Sequence, residues 1–156
     1  MAIVQKNEKE VTAIKQTFIA RDIEVQGNFK GEGAIQIEGQ LTGDIVVDSV
    51  VIGEHGLVKG NISAKSVIIN GKYDGDINCI SLDIMKNGRV STRKINLKNI
   101  MISGSVKGDI IASGSLEVDV EGSIEGNITF DRIQINEGAK IVGLLKEFVK
   151  KDSKRQ

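Results

Sequence analysis

Apolar and polar residues alternate along this chain in short bursts, and the bursts recur. One series runs Ile35/Ile37, Val50/Ile52, Val67/Ile69, Leu82/Ile84, Ile100/Ile102, Leu116/Val118 and Ile133/Ile135. A second runs Ile45/Val47, Ile62/Ala64, Ile77/Cys79, Ile110/Ala112 and Ile128/Phe130. Between them stands the phrase Gly-x-apolar-x-Gly, as in Gly39-Gln-Leu41-Thr-Gly43, Gly56-Leu-Val58-Lys-Gly60, Gly71-Lys-Tyr73-Asp-Gly75 and Gly122-Ser-Ile124-Glu-Gly126. Alternation over so few residues predicts a short strand with one buried face. Three such strands per unit, separated by Gly, Asn, Asp or Ser, predict one turn of a triangular coil. From Gly43 the second glycine position recurs at 60, 75, 92, 108, 126 and 143, with Thr92 in place of one Gly.

A single coil cannot bury its apolar face, whereas a stack buries a continuous thin core. The pattern therefore predicts an all-β, single-stranded β-solenoid of about seven short coils. An antiparallel sandwich would favour Asn-Gly or Asp-Gly hairpins. Only Asn70-Gly71 and Asn87-Gly88 offer them. The division predicted is a tail over 1–20, a solenoid over 21–145 and a basic tail over 146–156. In the first tail Val11, Ile14 and Phe18 fall at helical spacing.

Composition narrows the core. Ile and Val together number 39 against 7 Leu, and aromatics are few. Branched aliphatics fit a pleated surface, and a core without large rings must be narrow. The single Cys excludes a disulfide framework. No apolar run approaches the ~20 residues of a membrane helix, and the N-terminus lacks the pattern of a signal peptide. The expected setting is cytoplasmic, and a net charge of zero argues against nucleic acid as a partner.

The stretches Gly31-Glu-Gly-Ala-Ile-Gln-Ile-Glu-Gly-Gln-Leu-Thr-Gly-Asp-Ile45 and Val51-Ile-Gly-Glu-His-Gly-Leu-Val-Lys-Gly-Asn-Ile-Ser-Ala64 resemble the bactofilin family. The resemblance covers about residues 19–145. It implies a right-handed β-helix that forms non-polar filaments without a nucleotide. It also implies a homopolymeric scaffold at the inner membrane, supporting cell shape and placing cell-wall enzymes. Two departures stand out: Thr92 in the glycine series, and tails without proline.

Catalytic chemistry is sparse. A hexapeptide acyltransferase would show strict six-residue periodicity, and the steps of 15 to 18 residues break it. His55, the sole His, lies in a Gly-flanked corner with no predicted orienting partner. Cys79 occupies a core column and reads as a small filler. Asp44, Asn61, Asp76, Asp109 and Asn127 follow the second glycine and read as turn chemistry rather than a calcium site. No enzyme activity, cofactor or metal is expected. A β-helix that binds partners without polymerising is the competing function.

Two groups of residues are expected to carry assembly. Strand edges at the ends of a solenoid can template another chain. Phe29, Ile35 and Ile37 at one end, and Phe130, Ile141, Leu144, Leu145 and Phe148 at the other, are the expected polymerisation interface. The net zero charge also hides bands. Residues 84–108 carry six cations and no acid, and 109–139 carry seven acids against Arg132 alone. Lys86, Arg89, Arg93, Lys94 and Lys98 form an expected girdle for lateral or partner contacts.

Overall fold

A computed structural model of the chain describes residues 16–147. Every strand pair in it is parallel, with register shifts only in the long pairs from coil 5 onward, and the strands wind into one continuous sheet. Three faces repeat. Face I begins with Gln16–Ile19, Ala34–Ile37, Ser49–Ile52, Ser66–Ile69 and Ser81–Ile84, and continues through 99–102, 115–118 and 132–135. Face II runs from Glu24–Gln26 to Lys140–Val142, and face III from Phe29–Lys30 to Leu145–Glu147. Each face has eight layers, so the rod has eight coils rather than seven. The extra coil comes from Gln16–Ile19, which pairs with Ala34–Ile37 instead of belonging to a tail. Phe18 therefore lies in a strand. Val11 and Ile14 fall outside the described residues.

Like residues stack because the register is strict. Ile37, Ile52, Ile69, Ile84, Ile102 and Val118 form one buried column, and Leu41, Val58, Tyr73, Val90, Val106 and Ile124 another. No polar or charged residue is buried among the described residues. Tyr73 supplies the largest side chain of the core. Its hydroxyl is shared between the carbonyls of Gly60 and, at 2.7 Å, Asp76. Burial first, and then Asp76 and Asp74, push its ionisation well above the usual range.

The II–III corner explains the second glycine series. At Gly75 φ is +143°, and a Cβ there would lie 1.8 Å from the carbonyl oxygen of Gly60 one coil below. Glycine is needed both for its backbone and for the close approach of coils. Thr92 departs from the series without adopting positive φ. Instead the strand bulges: Thr92 and Arg93 stand against Gly108 alone between the pairs Ser91↔Lys107 and Lys94↔Asp109. The added residue lets a β-branched side chain sit where the other coils need glycine.

The I–II corner alternates in length. It takes four residues at 20–23, 53–56, 85–88 and 119–122, and two at 38–39, 70–71 and 103–104. Coil 8 breaks the alternation with four at 136–139. The rod thus carries a serrated edge, with teeth about 9.6 Å apart, twice the strand spacing.

Candidate assembly interface

The two ends of the rod carry incomplete core layers. In coil 8 the inward positions are Ile133, Ile135, Ile141, Leu145 and, stacked on Phe130, the exposed Glu147. Ile135 and Leu145 remain 44% and 46% exposed, against 0% for Ile69 in the same column as Ile135. Val142 and Leu144 flank Gly143 and point outward, and both are largely exposed. Coil 1 is more polar, with Thr17 at an inward position, Ile19 buried, and Val25 and Phe29 half-buried.

The expected interface residues therefore separate. Phe29, Ile141 and Leu145 lie in terminal coils. Ile35 and Ile37 do not: coil 1 covers them through Thr17 and Ile19, and both are buried. Phe130 lies one layer in, between Ala112 and Glu147. Leu144 is terminal, but its side chain leaves the core. Phe148 falls outside the described residues. Ile135 and Val142 were not singled out from sequence, although Ile135 is visible there as the last member of its column.

The cationic girdle is a ring rather than a patch. Lys86 is on the I–II corner, Arg89 on face II, Arg93 in the bulge, Lys94 on face III and Lys98 at the III–I corner. Lys86 lies 3.6 Å from Glu121, and Arg93 lies 3.5 Å from Asp76. These pairs are exposed, so each contributes little stability. Face II holds a second cluster that sequence order concealed, with Lys72 stacked directly on Arg89 and with Lys59 and Lys107 on neighbouring coils.

The Asp and Asn series forms a ladder between coils, not only local turns. Asn28 Oδ1 accepts the amide of Asp44 at 3.0 Å, and Asp44 Oδ1 that of Asn61 at 3.3 Å. Asp109 Oδ1 accepts the amide of Asn127 at 3.1 Å, and Asn127 Oδ1 that of Leu144 at 3.3 Å. Each of these four side chains serves an amide one coil above, whereas Asp76, below the bulge, accepts from the Thr92 hydroxyl at 3.4 Å. Cys79 is buried, and desolvation pushes its thiol up to about 12, which suits a filler and not a nucleophile. His55 is exposed on a tooth. Among the described residues no cluster of three or more His, Cys, Asp or Glu could hold a metal, and no helix is long and apolar enough to cross a membrane.

A family model described as "Bactofilin: Polymer-forming cytoskeletal" matches residues 17–93 and again 80–146. This chain belongs to the bactofilin family. Two curated bactofilins of Myxococcus xanthus (strain DK1622) are similar to it. Bactofilin BacP is 29% identical over 105 residues, which cover 67% of this chain and 44% of BacP. Bactofilin BacO is 30% identical over 96 residues, covering 61% of this chain and 76% of BacO. The matched region thus spans less than half the length of BacP. No solved structure matches the chain. The two bactofilin matches overlap in coil 5 and together cover almost all of the solenoid.

Proposed function

We propose that this bactofilin joins end to end through its terminal coils into a filament that needs no nucleotide or metal, and that the filament serves as a non-enzymatic cytoskeletal scaffold. The observation that carries the reading is coil 8. Its inward residues Ile135 and Leu145 are nearly half exposed, while every inward residue of coils 3 to 6 except the half-buried Val47-column member Ala64 is buried. A further coil from another copy would complete the layer and pair the strand edge. Family membership supports the cytoskeletal role. By the same resemblance, the role extends to cell shape, with the inner-membrane surface and cell-wall enzymes as partners.

The test is sedimentation and negative-stain microscopy of the purified chain in EDTA without nucleotide. Wild type is expected to pellet as filaments. Leu145→Arg and Ile135→Arg are expected to remain folded by circular dichroism and to give short oligomers by light scattering. Truncating a central interface anchor commonly costs about 2 kcal/mol or more, enough to shorten a polymer. Long filaments from both variants would remove coil 8 from the joint.

A further inference from the structure

The serrated I–II edge has a pitch, and its teeth and notches differ in charge. Teeth at coils 1, 3, 5 and 7 carry Arg21 and Asp22, Glu54 and His55, Lys86, and Glu121, all exposed. The notches between them are floored by Glu38, Asn70 and Ser103, each half-buried. The notches are not alike. The one at coil 6 is bridged by the chain itself: Lys86 reaches Glu121 at 3.6 Å, and the Ser103 hydroxyl donates to Asp119 at 3.4 Å. The one at coil 2 is an open groove of about 500 Å³, lined by Arg21, Asp22, Glu38 and His55 among others. Glu38 is fixed there. Its Oε2 accepts from Gln36 Nε2 at 3.2 Å, and its carboxylate occupies the space a Cβ at Gly53 would need.

We propose that this edge is a lateral docking surface for a second copy of the same chain, running antiparallel, with the Lys86 tooth of each rod seated in the Glu38 notch of the other. A partner must match a pitch of about two strand spacings over several teeth, and another copy does so by construction. Placing coil 5 opposite coil 2 sets coil 3 against coil 4 and coil 1 against coil 6. Every tooth of that span then faces a notch. The arrangement is two-fold symmetric, so each favourable pair occurs twice. In the paired state Lys86 exchanges its exposed intrachain partner Glu121 for Glu38 of the other copy, which opens the coil 6 notch and lets Arg21 take its place beside Glu121. The contact is one narrow ridge, too small to hold two single rods together. It gains strength where many rods are joined in line and dock together. In that respect the inference rests on the end-to-end filament proposed above.

The test separates the two. Filaments of the full chain are imaged at low salt, where screening is weak. Wild type is expected to show paired filaments. Lys86→Glu and Glu38→Lys are each expected to give single filaments of unchanged length, and the double charge swap is expected to restore pairing. Pairing that persists in both single variants overturns the proposal, as does a swap that fails to restore it. If wild type forms no filaments, the end-to-end reading has failed, and the edge is still tested by disulfide trapping. Glu38→Cys and Lys86→Cys proteins are mixed at high concentration under oxidation, where a disulfide accumulates even a transient contact between single rods, with Cys79 buried and therefore silent. A 38–86 cross-link between copies supports the contact. No cross-link, or equal trapping of each variant with itself, overturns it.

Discussion

Ile69 and Ile135 occupy the same column of face I and differ only in how many coils cover them. Ile69 lies between Ile52 and Ile84 and has no exposed surface. Ile135 has Val118 beneath it and is 44% exposed. Replacing Ile by Ala deletes three carbons, worth roughly 2.4 kcal/mol of transfer at ~0.8 kcal/mol each. At position 69 the cavity is enclosed on both sides, so the total expected is about 3–4 kcal/mol, within the range for buried Ile→Ala. At position 135 about half of the transfer term applies and no closed cavity forms, giving roughly 1–1.5 kcal/mol. Urea unfolding of unassembled protein, followed by circular dichroism and by the fluorescence of Tyr73 in the same coil as Ile69, measures both. Equal losses would mean that coil 8 is covered within the single chain. That result would also undercut the joint proposed for it. Under assembling conditions the cost at Ile135 is expected to rise toward that at Ile69.

Two further outcomes follow from the corners and the core. Gly75→Ala is expected to cost about 2 kcal/mol or more, because a strained φ adds to the clash with the Gly60 carbonyl. Gly31→Ala, with open space at its Cβ, is expected to change thermal stability by less than about 0.5 kcal/mol; similar melting shifts for the two would refute the stacking argument. Cys79 is expected to react slowly with a thiol reagent at neutral pH until urea is added. Its folded pKa of about 12 lies above the ordinary 9.0, so its contribution to stability is whole below pH 9 and is lost as pH rises toward 12. Tyr73 acts in the same direction. A denaturation midpoint that rises across that alkaline window would contradict both burials.

Most of the fold was legible because a solenoid writes its register directly into the spacing of Ile and Val. Columns, corners and the odd position of Thr92 all stand in the sequence. The opening strand of coil 1, Gln16–Ile19, is the part the pattern hides, because Thr17 stands where the other coils have an aliphatic and Val11, Ile14 and Phe18 suggest helical spacing. The ends were harder to read. Proximity to a terminus in sequence does not say which coil is last, so Ile35, Ile37 and Phe130 were placed at ends that lie one layer further out. The steps of 15 and 17 residues were visible too, but only the folded corners show that the difference falls on one edge. Charge order gave the ring around coil 5, and the face II cluster of Lys59, Lys72, Arg89 and Lys107 required the coils to be stacked first.

The alternating corner also sets the unit in which such a rod can change length. Removing or duplicating one coil would set two long corners, or two short ones, side by side and put the edge out of phase beyond that point. A change of two coils, one tooth with its notch, preserves the phase. Coils 2 and 3 begin at Ala34 and coil 4 begins at Ser66, so this module is one uninterrupted stretch of chain. Shorter or longer rods built from whole modules would therefore keep the same edge, and rods that differ by a single coil would not.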